Sequence, residues 1–174
     1  MNRVLCVGVS ALGCLVAVAA LIVAIPMPHA AEPVTISYHS DLVKLTRLAP
    51  YQAVAPAGLP ATWQPVSSGL AVGGANGAGT VTWQLGYATP DNALATLEET
   101  NASAAGFIRR MTNSGTTVGT IQVSGQAWTQ SSTPARGQRS IYVTNADHVT
   151  LVVTGNASWA QLSDLAAALR PASG

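Results

Sequence analysis

Residues 119–154, GTIQVSGQAWTQSSTPARGQRSIYVTNADHVTLVVT, decide the fold of this chain. They contain four segments that alternate in polarity or are rich in β-branched residues: 119–124, 126–130, 139–144 and 149–154. Turn-forming residues interrupt these segments at Gly125, at 134–137 and at 145–147. Alternation with a period of two places one side of a strand against a core, and short connections join antiparallel neighbours. The stretch therefore predicts an antiparallel meander.

A further strand is predicted before the meander, at residues 80–87, TVTWQLGY, where polar and apolar side chains alternate. The run that precedes it, residues 73–79, is rich in glycine. A phosphate-binding loop needs a following helix whose first N–H groups hold the phosphate. Because a strand follows here, we interpret the run as a hairpin loop. Upstream, closely spaced prolines around Trp63 and Val66 predict an edge strand or an irregular entry into the domain.

Helices are predicted at four places. Three leucines at three-residue spacing indicate a short amphipathic helix that ends before Pro50: Leu42, Leu45 and Leu48. Thr89-Pro90-Asp91 is typical of a helix start, and Leu94 with Leu97 extends that predicted helix to about Thr100. A second short helix is predicted from Ser103 to Met111. Ser158 and Gln161 have the spacing of a capping box and predict a last helix, stopped by Pro171.

Runs of strands with helices at their margins are typical of the α+β class. We expect one domain over residues 54–171, built on an antiparallel sheet of five to six strands with helices packed on it. A chain of this size can bury a continuous core without metal or disulfide bonds.

The N-terminal region has the pattern of a membrane anchor. Residues 4–25 carry no charge, and as a helix they would extend about 33 Å, enough for a hydrocarbon layer of roughly 30 Å. A cleaved signal peptide is the alternative, but Pro28 and His29 would occupy the −3 position of the nearest sites, where small residues are preferred. We therefore expect a cytoplasmic N-terminus at 1–3, a transmembrane helix at 4–25, a juxtamembrane linker at 26–53 and an extracytoplasmic domain.

Charge and cysteine content exclude several classes of function. Charged residues make up 9% of the chain, against roughly 25% in typical soluble proteins. Beyond the apolar segment, Lys44 and six arginines face seven acidic residues. Nucleic-acid binding needs a cluster of bases that neutralises several phosphates, so we exclude it. Both cysteines, Cys6 and Cys14, lie in the apolar segment, which leaves the domain without a thiolate.

No catalytic constellation is visible. His148 is the one histidine far from the membrane boundary, and its neighbour Asp147 would point to the opposite face of a strand. We interpret the pair as a polar hairpin turn. Glu98 and Glu99 could supply an acid, but at the end of the predicted helix they are interpreted as a solvated face. We expect no cofactor and no enzymatic activity, with a hydrolase as the least favoured reading.

Two groups of residues are candidates for a ligand or partner surface. Tryptophans provide apolar area with one donor and could line a pocket: Trp63, Trp83 and Trp128, with Trp159. As core residues they need no further explanation, and core packing is the favoured interpretation. The second group is basic and could meet anionic lipid or a carboxylate-bearing partner: Arg109 and Arg110, with Arg136 and Arg139. A solvated surface is the favoured interpretation of these arginines.

Several stretches together carry a family resemblance: residues 55–60 (APAGLP) followed by Trp63, residues 83–91 (WQLGYATPD), Gly125 with Trp128, and residues 153–158 (VTGNAS). The chain resembles the actinobacterial, membrane-anchored proteins of domain-of-unknown-function family 4245 (DUF4245). The resemblance covers the anchor and nearly all of the domain. It implies an envelope protein and assigns no residue a role.

Two function hypotheses remain open. The first is a non-catalytic interaction or accessory module of the cell envelope with a protein partner. The alternative is a carrier or sensor of an apolar ligand such as a lipid or glycolipid. A contiguous apolar cavity in the structure would favour the carrier, and a filled core would contradict it. A co-purifying protein partner would favour the interaction module.

Overall fold

The computed structural model describes residues 35–73 and 79–172. The predicted N-terminus at 1–3, the predicted transmembrane helix at 4–25 and residues 74–78 of the glycine-rich loop lie outside the described residues. Within the described ranges, no helix combines the length and the apolar character needed to cross a membrane.

A seven-stranded antiparallel sheet forms the body of the domain, in the order β2-β3-β4-β8-β7-β6-β5. Its strands are β2 (Gln64–Gly73), β3 (Thr80–Ala88), β4 (Leu94–Thr100), β5 (Thr116–Val123), β6 (Gln126–Thr133), β7 (Gln138–Thr144) and β8 (Thr150–Gly155). Two short strands, β1 (Val54–Pro56) and β9 (Leu169–Pro171), pair separately and antiparallel. The α+β class is confirmed, and the predicted meander is confirmed as β5 to β8.

Within the described residues, three α-helices accompany the sheet: α1 (His39–Leu48), α2 (Ala104–Met111) and α3 (Trp159–Ala167). All three were predicted from sequence. The capping box of α3 is present, because the Ser158 hydroxyl accepts from the Gln161 N–H and the Gln161 side chain accepts from the Ser158 N–H. After the end of α2, Asn113 and Ser114 both have positive φ, and the Ser114 N–H donates to the Arg109 carbonyl at 2.8 Å.

The hairpin turns follow their sequence signals. Ser124 and Gly125 have φ values of 50° and 82°, so they form the two-residue turn between β5 and β6. In the turn after β7, Asn145 Oδ1 accepts from the N–H groups of Asp147 and Val149 at 3.0 and 2.9 Å. His148 lies in this turn with φ 60°, as the polar-turn interpretation predicted.

The predicted helix over residues 89–100 is wrong: this segment is a tight turn followed by strand β4. The Thr89 N–H donates to the Ala93 carbonyl at 2.8 Å, and the Ala93 N–H donates to Thr89 Oγ1 at 3.0 Å. Leu94–Thr100 then pairs with β3 on one side and β8 on the other. Leucine, alanine and glutamate favour helices in isolation, but a central strand gains hydrogen bonds and burial on both sides. This strand raises the sheet above the predicted five to six strands.

The sheet has two unlike faces. On the apolar face, a core cluster packs under α1, α3 and the β1–β9 pair; its large members are Leu45, Trp83, Leu85, Leu97, Ile141, Val153, Leu162 and Leu165. The alternate residues point to the polar face, which is rich in hydroxyl side chains such as Thr100, Ser131, Ser140 and Thr150. Helix α2 packs on the polar face through buried Phe107. The two faces therefore present different chemistry to their helices.

Candidate functional sites

The three candidate tryptophans all lie in the apolar core. Trp63, Trp83 and Trp128 are 7%, 0% and 3% exposed. Trp63 contacts Tyr87 edge-to-face with a centroid distance of 6.2 Å, and Trp83 lies 6.3 Å from the Tyr38 ring. These contacts are typical of aromatic core packing. The tryptophans are core residues, and Trp63 also lines a small cavity of about 210 Å³ with Tyr38, Leu59 and Tyr87.

Trp83 also connects α1 to the sheet by a polar chain. Its indole Nε1 donates to Ser68 Oγ at 3.3 Å, and Ser68 Oγ donates to Asp41 Oδ2 at 2.7 Å. Ser68 belongs to β2 and Asp41 to α1. The buried indole therefore has its hydrogen-bond partner, and helix α1 is fixed to the sheet by a specific contact.

The candidate arginines separate into two places. Arg109 and Arg110 lie in the last turn of α2, on the polar face. The Arg110 guanidinium carbon is 5.3 Å from the centroid of the Phe107 ring. Arg139 alternates with Ser140 on β7 and so points to the other face, where it donates to the carbonyls of Asn156 and Ala157 at 3.4 Å each. The sheet thus divides the basic residues, and Arg139 is not part of the α2 surface.

Glu98 and Glu99 are buried, which overturns the solvated-face interpretation. They lie on central strand β4, 8% and 0% exposed, and point to opposite faces. Burial raises the pKa of Glu98 to about 7, and the nearby charge of Arg110 acts against that rise. Burial raises the pKa of Glu99 to about 8. The hydrogen bond that its carboxyl accepts from the Val54 N–H acts against this rise. Each face of the sheet therefore carries one carboxyl that titrates near neutral pH.

Glu99 fixes the short strand β1 to the apolar face. The Val54 N–H donates to its two carboxyl oxygens at 3.2 and 3.3 Å. The Tyr51 hydroxyl is buried without a hydrogen-bond partner. Its pKa is raised well above the usual range, first by burial and then by the Glu99 charge. Among the described residues, no group of three or more His, Cys, Asp or Glu side chains that could hold a metal ion is present.

A cavity of about 470 Å³ lies between α2 and the polar face. We call it the α2 cavity; it is lined by Ala105, Ile108, Arg109, Thr112, Ser114, Gly115, Ser131 and Tyr142. Ser131 is 2% exposed, and its hydroxyl has no hydrogen-bond partner. A Cβ added to Gly115 would approach Ser131 Oγ to 2.6 Å, so only glycine lets the α2–β5 link pass this close. Ser131, Gly115 and Tyr142 are not among the site residues predicted from the sequence.

Side chains of the sheet hold the C-terminal end of α2 beside this cavity. Gln138 Nε2 donates to the Met111 carbonyl at 2.7 Å and to Thr154 Oγ1 at 2.6 Å. Thr133 Oγ1 donates to the Thr112 carbonyl at 2.8 Å, and Asn113 donates to the Gln138 side-chain oxygen. These bonds satisfy carbonyls that a helix end leaves without an intrahelical partner. Polar contacts therefore fix the position of α2 relative to the strands that line the other side of the α2 cavity.

The two edge strands of the sheet are protected to different degrees. On β2, Pro65 lacks an N–H, its carbonyl accepts from the Ile36 N–H at 2.9 Å, and Ser68 contacts α1. Strand β5 contains eight residues with neither a charge nor a proline. Val118, beside the bulge between Thr117 and Gly119, is 56% exposed. Among the described residues, no backbone bond from outside the ladder reaches β5.

The turn after β5 determines which of its backbone groups face outward. Val123 and Gln126 flank the two-residue turn, so they exchange hydrogen bonds with each other. Antiparallel ladders alternate, and therefore Gln122 and Thr120 direct their N–H and C=O groups away from β6. These groups form an open edge of the kind that pairs with another extended segment.

Comparison with known proteins finds distant structural likenesses. A chain of the complex of MucA and MucB from Pseudomonas aeruginosa matches 70% of this chain at 13% identity and a TM-score of 0.38. A chain of MucB in complex with MucA(peri) matches the same share at the same identity and score. This chain spans 36% and 38% of the length of those chains. Likenesses of this strength do not indicate a shared function.

Curated proteins offer no match to this chain. A family model does match, and it runs from residue 9 to residue 169, across all three α-helices and strands β1 to β8 and up to the first residue of β9. The chain therefore belongs to the DUF4245 family, described as a protein of unknown function.

Proposed function

We propose that this protein is a non-catalytic interaction module of the cell envelope, which binds an extended segment of a partner protein by strand addition at β5. The observation that carries the proposal is the open edge of β5 described above. In this proposal residues 4–25 anchor the chain in the cell membrane as a single span, and residues 54–171 form an extracytoplasmic domain. The anchor would keep the β5 edge close to other envelope proteins.

The composition of β5 supports a docking role. An exposed edge strand without charge or proline is a hazard for uncontrolled association, and natural proteins usually block such edges. Here β2 is blocked by Pro65 and Ile36, whereas β5 offers Thr120, Gln122 and exposed Val118. Main-chain bonds would supply affinity, and the outward side chains would supply selectivity.

The carrier hypothesis has less support. The tryptophans that motivated it are core residues. The cavity that Trp63 lines measures about 210 Å³, below the range of about 300–1,000 Å³ typical of small-molecule sites. The non-catalytic part of the proposal rests on the placement of the acids and of His148. Glu98 and Glu99 point to opposite faces of the sheet, and His148 lies in an exposed hairpin turn.

Site-specific photocrosslinking in the producing cell tests the β5 proposal. A photoreactive amino acid at Gln122 of the full-length chain should give discrete protein adducts, and one at Gln84 on β3 should not. Thr120→Pro removes one outward N–H without removing a β5–β6 bond, so the adducts should fall severalfold. Thr120→Ala keeps the N–H and should retain them. Equal adduct yields from Gln122 and Gln84, or retention of adducts in a folded Thr120→Pro variant, would overturn the proposal.

A further inference from the structure

We propose that the α2 cavity is a second binding site, which takes a small monocarboxylate with a short apolar portion. The site is separate from the β5 edge and uses other residues. Its size, its cation and its unpartnered hydroxyl together point to this ligand class.

Arg109 provides the charge. No carboxylate of the described residues lies within 4.0 Å of its guanidinium, since the one ion pair found there joins Lys44 and Asp41. Helix α2 carries two arginines and no acid. The C-terminal end of a helix carries partial negative charge, which would repel an anion. Here the Met111 and Thr112 carbonyls accept hydrogen bonds from Gln138 and Thr133, and these bonds reduce that repulsion. Arg109 is therefore available for a paired hydrogen bond to a carboxylate.

Ser131 and Tyr142 provide the polar part of the floor. A buried hydroxyl without a partner costs roughly 1–3 kcal/mol, and Ser131 carries such a hydroxyl on the strand next to β5. Its strand neighbour Ser140 is satisfied by Thr154 Oγ1 at 2.7 Å. On this face the Ser140 hydroxyl therefore has a hydrogen-bond partner, whereas the Ser131 hydroxyl, which borders the cavity, has none. An oxygen atom of a ligand would supply that partner.

The remaining walls define the rest of the ligand. Ala105 and Ile108 offer apolar surface opposite the hydroxyls. One cation lines the cavity, so a dianion such as phosphate would keep an uncompensated charge, and a purely apolar molecule would leave Arg109 and Ser131 unpaired. A volume of about 470 Å³ holds a compact organic acid, within the range of about 300–1,000 Å³ typical of small-molecule sites.

Ligand-observed NMR on the full-length chain in phosphatidylcholine nanodiscs tests this site, with empty nanodiscs as the background. Hexanoate should show saturation transfer from the protein, and hexanol should bind at least about tenfold more weakly, because one charge-assisted hydrogen bond corresponds to about that factor. Equal binding of the acid and the alcohol, or no transfer to hexanoate, overturns the proposal.

Matched variants locate the binding. Arg109→Gln should weaken hexanoate binding about tenfold, whereas Arg110→Gln, one residue further along the helix, should change it less than about twofold. Ser131→Ala should weaken it about fivefold. Folding of each variant is checked by its thermal transition. If a folded Arg109→Gln variant binds hexanoate as the unmodified chain does, the α2 cavity is not the site.

Two further ligands separate the sources of the carboxylate. N-acetyl-alanyl-leucine carries a peptide C-terminus, and its C-terminal amide lacks the charge. Binding of the peptide acid but not the amide, more tightly than hexanoate, identifies a protein or peptide terminus as the ligand. Binding of hexanoate alone identifies a free acid. Binding of the amide as tight as that of the acid contradicts a carboxylate site.

Discussion

The two faces of the sheet are built by opposite means. On the apolar face, α1 and α3 pack through a continuous core around Trp83, and one carboxyl, Glu99, is enclosed there. On the polar face, α2 inserts Phe107 and is otherwise held by side-chain hydrogen bonds from Gln138 and Thr133. Burial of apolar area gives stability without direction, whereas hydrogen bonds fix position and leave space. The comparison indicates that the first face maintains the fold and the second can hold a site.

Truncating the largest fully buried side chain of the apolar face should have the greatest effect. Trp83→Ala removes a fully buried indole that contacts Tyr38 and bonds to Ser68. We expect a loss of about 3–5 kcal/mol in the free energy of unfolding, measured by urea denaturation. Trp159→Ala is the control, because this indole is only partly buried, and it should cost clearly less. Similar losses in the two variants would contradict the picture of one dominant core.

The sequence could predict most of this architecture, because the core alternates regularly. The meander, the Ser158–Gln161 capping box and the Ser124–Gly125 turn depend on neighbouring residues, so their signals are local. Strand β4 could not be predicted, since Leu94–Thr100 has helix-forming residues and becomes a strand only between β3 and β8. The α2 cavity was equally invisible, because Ser131 and Arg109 meet across elements that are distant in sequence.

The pH dependence of stability separates the two carboxyls. The folded-state pKa values of about 7 for Glu98 and about 8 for Glu99 exceed the ordinary value of 4.5. The folded chain therefore keeps protons on both carboxyls at pH values at which the unfolded chain has released them. The contribution of these protons to the free energy of unfolding is fully present below about pH 4.5 and is lost as pH rises through 7 and 8. Since one pKa unit corresponds to about 1.4 kcal/mol, we expect Glu99 alone to lower stability by on the order of 3 kcal/mol between pH 5 and pH 8.

Glutamine variants of the two acids show how much of this pH dependence comes from each carboxyl. Glu99→Gln keeps an acceptor for the Val54 N–H and removes the titration, so it should flatten most of the fall in melting temperature between pH 5 and pH 8. Glu98→Gln should flatten it less, because its pKa is raised less and Arg110 partly compensates its charge. A melting temperature that rises with pH in the unmodified chain would refute the burial of both acids.

Loosening the polar face should have a moderate effect. Gln138→Ala removes the bonds to the Met111 carbonyl and Thr154 Oγ1. We expect a loss of about 1–2 kcal/mol and faster amide exchange at the end of α2, measured by hydrogen–deuterium exchange. Gln126→Ala is the control, because Gln126 is exposed and its side chain makes no hydrogen bond in the described part of the chain. Exchange that is unchanged at Thr112 and Asn113 would show that Gln138 does not hold the helix.

The smallest effect should have the opposite sign. Ser131→Ala deletes a buried hydroxyl that has no partner, so we expect it to be neutral or to stabilise the chain by up to about 1 kcal/mol. Ser140→Ala, on the paired strand, breaks the bond to Thr154 Oγ1 and should cost about 1 kcal/mol. Chemical denaturation of the two variants measures the difference. If Ser131→Ala is as destabilising as Ser140→Ala, the hydroxyl has a partner and the cavity loses its polar floor. If Ser131→Ala stabilises the chain and weakens hexanoate binding, the Ser131 hydroxyl lowers the stability of the fold but contributes to ligand binding.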